Sequence, residues 1–85
     1  MHNLLQAIET EYNTASSKYP VFHSTHEGYA VLKEEVDELW DMVKANKGIM
    51  GDEAMKREAI QIAAMALRFI NDLCKFSNTD VTSKT

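Results

Sequence analysis

Cysteine is nearly absent from this chain, with Cys74 its only example. No disulfide can therefore close within the chain and hold its fold together. Proline is as scarce, present only as Pro20, and glycine stands only at Gly28, Gly48 and Gly51. Few residues thus interrupt long helical stretches. No long apolar run is present either: the longest is Ile62 to Leu67, far short of the ~20 residues that span a bilayer. The opening residues Met1-His2-Asn3-Leu4-Leu5-Gln6 have no basic segment followed by an apolar one, so no signal peptide is expected. Positive charge is in deficit, with 9 Lys+Arg against 13 Asp+Glu and a formal net charge of −4. A binder of nucleic-acid phosphates wants a basic face, so nucleic acid is not the expected partner. A lone thiol fits a reducing compartment, and a cytoplasmic protein without membrane association is predicted.

What is present is a normal globular share of hydrophobic residues, 45% of 85. A chain this short buries only ~60–65% of its unfolded surface and has a marginal core of its own. Oligomerisation is the expected remedy. The punctuating residues divide the chain into three helical stretches, giving an all-α fold without repeats. The first runs from about Asn3 to Lys18, with Leu4, Leu5, Ile8, Tyr12 and Ala15 at three- and four-residue steps; Pro20 then ends it. The second opens on Ser24-Thr25-His26-Glu27, a capping-box pattern. It should reach about Lys47 and stop at Gly48, with Ala30, Val36, Leu39, Trp40 and Val43 as its apolar side. The third should start at Asp52, an N-cap residue type, and reach about Phe76. From Ala59 onward it is apolar on nearly every face, as buried helices are. Residues 1–76 then form one domain, and Ser77 to Thr85 a polar, disordered tail. A helical hairpin plus an N-terminal helix is predicted, assembling into a four-helix-bundle dimer or a tetramer.

The acidic residues are not spread evenly. Nine of the thirteen lie between Glu27 and Glu58. At about 100° per residue, Glu34, Glu38 and Glu35 fall at roughly 0°, 40° and 100° around the second helix, a single arc. Like charges so placed repel, and a hard divalent cation would offset the repulsion. A solvated acidic face is the plainer alternative. On the third helix, Glu58, Gln61, Met65, Arg68 and Asp72 share a stripe. Charges embedded in so apolar a helix call for partners or a metal. Arg68 and Asp72, four residues apart, can pair with each other; Glu58 and Gln61 have no such local partner. His23-x-x-His26 has a spacing seen in zinc sites, but the only thiol is distant and the helix-start reading is favoured. Cys74 reads as a small buried hydrophobe.

Glu35-x-x-Glu38 preceded by Glu34, followed about twenty residues later by Glu58, resembles the all-α nucleoside triphosphate pyrophosphohydrolases of the MazG-like group. Their pattern is EExxE on one helix and ExxD on the next. His26-Glu27-Gly28-Tyr29-Ala30-Val31-Leu32 and Ala63-Ala64-Met65-Ala66-Leu67-Arg68-Phe69 look like short phage and bacterial members. The resemblance covers Glu27 to Asp72, about half the chain. It implies Glu35, Glu38 and Glu58 as Mg²⁺ (or Mn²⁺) ligands, and Glu34 as a further ligand or the residue that positions the attacking water. Gln61 stands where the family carries its second-helix Asp, and offers a carbonyl oxygen to the metal. Arg68 and Asp72 are the implied substrate-binding residues. The implied reaction cleaves a (d)NTP to a (d)NMP and pyrophosphate, in nucleotide-pool cleaning. A non-catalytic relative that binds nucleotide or metal, and a plain helical interaction module, are the alternatives.

Overall fold

A computed structural model of the chain describes residues 1–45 and 48–74, apart from the side chains of Ile49 and Met50. Among these the protein is all-helical, without strands: α1 spans His2–Lys18, α2 Thr25–Ala45 and α3 Gly48–Leu73. No helix among them is long and apolar enough to cross a membrane. The expected polar tail, residues 77–85, lies outside the described residues, as do Lys47 and Phe76, the expected ends of α2 and α3.

Local chemistry sets the ends of α1 and the start of α2. Tyr19 adopts φ −122° and ψ 148°, the extended backbone forced on a residue that precedes proline. Its N–H still closes the last turn by donating to the Ala15 carbonyl at 3.0 Å. At the start of α2 the Ser24 hydroxyl accepts the Glu27 N–H at 3.1 Å. The Glu27 carboxylate in turn accepts the His23 N–H at 2.6 Å. This is the reciprocal arrangement of a capping box, reaching one residue further upstream than usual. His26 lies in the first turn of α2 and His23 just before it.

The start of α3 differs from expectation. It begins at Gly48, four residues before Asp52, and takes Gly51 inside the helix as a buried residue. Gly51 costs about 1 kcal/mol of helix propensity relative to alanine. Gly48 has φ +67°, a left-handed geometry that suits a glycine between two helices.

α3 is the hub. α2 and α1 each pack on it, and no packing of α1 on α2 occurs among the described residues. Gly28, early in α2, sits against Phe69 and Leu73, late in α3. Glu38, further along α2, reaches Glu58, early in α3. The two helices therefore run antiparallel, as a hairpin. A Cβ on Gly28 would stand 2.7 Å from Phe69 Cδ2 and 2.8 Å from Leu73 Cδ1, so the close crossing depends on the missing side chain.

The core is small: Ala15, Phe22, Ala64 and Met65, flanked by Tyr12, Val31, Leu32 and Leu73. Much apolar surface remains uncovered in the protomer. Val36, Trp40 and Val43 on α2, and Leu67 and Ile70 on α3, are all exposed. The apolar side expected of α2 is thus largely outward, and α3 is not buried on every face, because α1 and α2 together cover only part of it. Cys74 is exposed rather than buried, since it lies beyond the last turn of α3.

Candidate metal centre

Where α2 crosses α3, three carboxylates converge. One oxygen each from Glu35, Glu38 and Glu58 lies within 4.8 Å of the others. Glu38 is exposed, Glu35 half-buried, and Glu58 buried at 8% exposure. Glu35 Oε2 and Glu58 Oε2 are shut off from solvent, and no N–H or hydroxyl group among the described residues donates to either. Two buried carboxylate oxygens without a donor are costly. A proton held at Glu35 lowers that cost. A shared hydrogen bond with Glu58, burial, and the charges of Glu58 and Glu34 push the Glu35 carboxyl up to about 7.

The donor set fits a hard divalent cation. Mg²⁺ binds oxygen at ~2.0–2.1 Å, which places its ligand atoms ~3–4 Å apart, and it keeps several waters. The three oxygens, within 4.8 Å of one another, lie near that range. The exposed side of Glu38 leaves room for water or a further ligand.

Beside the carboxylates lies a cavity of about 460 Å³, lined in part by Glu34, Glu35, Gln61 and Arg68. Glu35 belongs to both features and joins them. Glu34, expected on the same arc as Glu35 and Glu38, faces the cavity rather than the three-oxygen cluster. Gln61 likewise lines the cavity, half-buried, one turn of α3 beyond Glu58.

Arg68 and Asp72 are engaged with the segment between α1 and α2. The Arg68 guanidinium donates to the Pro20 carbonyl at 2.7 Å and stands 3.9 Å from Asp72. It also lies 4.7 Å from the centre of the Phe22 ring. The Asp72 carboxylate accepts the Phe22 N–H at 3.1 Å. Both side chains are nearly inaccessible, at 5% and 7%. A buried pair is tolerated when hydrogen bonds satisfy its remaining valences, as here. Arg68 forms part of the cavity wall and Asp72 is not among the lining residues. The pair bolts residues 20–22 onto α3 and so builds one side of the cavity.

That side was not foreseen from the sequence. Lys18, Tyr19, Val21 and Phe22 line it, and no periodicity in the chain marks them. The one available signal was Pro20, which forces the turn that carries Phe22 back into the core. Comparison with protein-family models, with curated proteins and with solved structures finds no match to this chain.

Proposed function

We propose that this protein is a Mg²⁺-dependent nucleoside triphosphate pyrophosphohydrolase, cleaving a (d)NTP to a (d)NMP and pyrophosphate in cytosolic nucleotide-pool cleaning. The observation that carries the reading is the convergence of Glu35, Glu38 and Glu58 from two helices, with two buried oxygens that no N–H or hydroxyl group among the described residues reaches. It is supported by the adjoining cavity and by the resemblance of Glu34-Glu35-x-x-Glu38 and Glu58 to the MazG-like pattern.

In this reading Glu35, Glu38 and Glu58 hold the cation, and Gln61 adds an uncharged carbonyl at the cavity edge. The ion supplies neutralisation of phosphate charge and acidification of bound water. Glu34, facing the cavity, orients the attacking water and accepts its proton. Water adds to the α-phosphorus, the bond to the α,β-bridging oxygen breaks, and pyrophosphate departs. Arg68 and Asp72 serve the substrate through the wall they fix.

The assay is pyrophosphate release from a panel of NTPs and dNTPs with Mg²⁺ or Mn²⁺, for the parent and Glu38→Gln. Release that needs both metal and Glu38 is the expected result. Silence across the panel from folded protein would overturn it. The second reading, binding without hydrolysis, rests on Gln61, which lines the cavity where the family pattern has a carboxylate. A silent protein whose Tm still rises with Mg²⁺ through Glu38 is that protein.

We also infer that the chain works as a homodimer or homotetramer, with partner copies covering Val36, Trp40, Val43, Leu67 and Ile70. These large side chains are 42–57% exposed in one protomer, and a second copy packed on them would supply the burial a short chain lacks. Sedimentation at micromolar concentration is expected to give two or four times 9.6 kDa; a mass of one protomer would exclude the assembly.

A further inference from the structure

We propose that Lys18 is the residue through which the protein grips the phosphate chain of its substrate, from the α1 wall of the cavity. The inference rests on the reading above, that the cavity takes a nucleoside triphosphate. Its starting point is a charge imbalance. Among the described residues the cavity is lined by four carboxylates, Glu11, Glu27, Glu34 and Glu35, and by two cations, Lys18 and Arg68. The chain as a whole is also acidic. A polyanion entering this space meets repulsion beyond what one divalent cation beside Glu35 neutralises, so a fixed positive charge elsewhere on the wall has a clear role.

Arg68 cannot supply it. Its guanidinium is committed to the Pro20 carbonyl and to Asp72, lies against the Phe22 ring, and is 5% exposed. Turning it toward a ligand would strand Asp72 as a buried charge and release the 20–22 segment. Lys18 is in the opposite condition. It is exposed and makes no ion pair with any described residue. Its backbone is fixed, being the final residue of α1, held by the Tyr19 N–H bond to Ala15 and by the extended Tyr19 before Pro20. A flexible lysine stem on an anchored backbone is a point charge that can follow a phosphate chain.

A competing role is structural: a lysine in the last turn of a helix interacts favourably with the helix dipole. The two roles have different readouts. Lys18→Ala and Lys18→Arg would be compared with the parent in three measurements made with Mg²⁺ present. These are binding of α,β-methylene nucleoside triphosphates and of inorganic triphosphate, steady-state KM and kcat, and the Mg²⁺-induced rise in Tm. Lys18→Ala is expected to weaken binding and raise KM about tenfold to a hundredfold, the range for one charge-assisted hydrogen bond. Change in kcat should be small, Lys18→Arg should recover most of the affinity, and the Mg²⁺ response should stay intact. A Lys18→Ala protein with parental affinity overturns the assignment, whether or not its Tm falls. Turnover indifferent to Lys18 overturns the assignment alone. Analogue binding that depends on Lys18 without turnover overturns the hydrolytic reading and keeps the assignment. A parent that neither binds nor cleaves any triphosphate overturns both.

Discussion

At pH 8 and free of divalent cations, Glu35→Gln melts about 4–8 °C above the parent, and Mg²⁺ no longer raises its Tm. The first half follows from the Glu35–Glu58 pair. Glu35 titrates near 7 in the folded protein against an ordinary value of 4.5. Between those values the native state holds a proton that the unfolded chain has lost, so stability falls as pH rises through that window. It is fully present below about pH 4.5 and gone above about 7. By pH 8 Glu35 has lost that proton and stands charged beside Glu58. Glutamine has the shape of the protonated side chain and carries a permanent donor toward Glu58. Allowing for the partial exposure of Glu35, the relief is about 1 kcal/mol, hence the few degrees quoted. The second half follows from the same atoms, because an amide in place of a carboxylate removes a charged ligand. If Mg²⁺ binds as proposed, it displaces the shared proton in the parent, so its stabilising effect should grow from pH 6 to pH 8. Thermal melts of both proteins across pH 5–8, with and without Mg²⁺, provide the check. A parent whose Tm is flat over pH 5–7, or an undiminished Mg²⁺ response in the variant, would sink the account of the cluster.

Glu58→Gln lowers kcat/KM for pyrophosphate release about a hundredfold to a thousandfold, with the helical fold retained. A ligand carboxylate that holds the cation against developing phosphate charge is worth several kcal/mol in the transition state, and each 1.36 kcal/mol is about tenfold in rate. Glu58 is the most buried of the three carboxylates, so solvent cannot substitute for it. The isosteric amide keeps the shape of a buried side chain and removes its charge, so circular dichroism should match the parent. Glu9→Gln, on an exposed position of α1, is the control and should leave the rate unchanged. Activity in Glu58→Gln within twofold of the parent would remove Glu58 from the site.

Much of this site could be read along the chain because helices convert spacing into direction. Glu34, Glu35 and Glu38 were separable from Asp37 by angle alone, and Glu58 stood out because nothing local on α3 could pair with it. The angle does not say which members of an arc reach a neighbour. That depends on how α2 rotates against α3, and it brings Glu35 and Glu38 to Glu58 while leaving Glu34 over the cavity. The Arg68–Asp72 spacing announced a pair. Its attachment to Pro20 and Phe22, about fifty residues upstream, has no trace in periodicity, since it is a contact between a helix and an irregular segment. The start of α3 was hidden for a related reason. Glycine is a weak helix former, so Gly48 and Gly51 suggest interruption, whereas a single glycine inside a 26-residue helix costs too little to break it. Cys74 was taken for a core residue from its type, but the helix that would have buried it ends one residue earlier.

Among the described residues α1 and α2 meet α3 but not each other, which separates two properties of the fold. The carboxylate cluster is drawn from α2 and α3 alone. The cavity exists only while α1 is seated on α3. If α1 leaves α3 for a fraction of the time, intrinsic affinity for a cation is untouched, while affinity for anything spanning the cavity falls in proportion to the seated fraction. A ligand touching both α1 and the hairpin would then act as a strap, and part of its binding energy would go into holding the first helix in place. Substitutions at Tyr12, which packs on the core and lies with Leu67 and Ile70 of α3, thereby become a means of tuning affinity for whatever the cavity takes, without altering a residue that lines it.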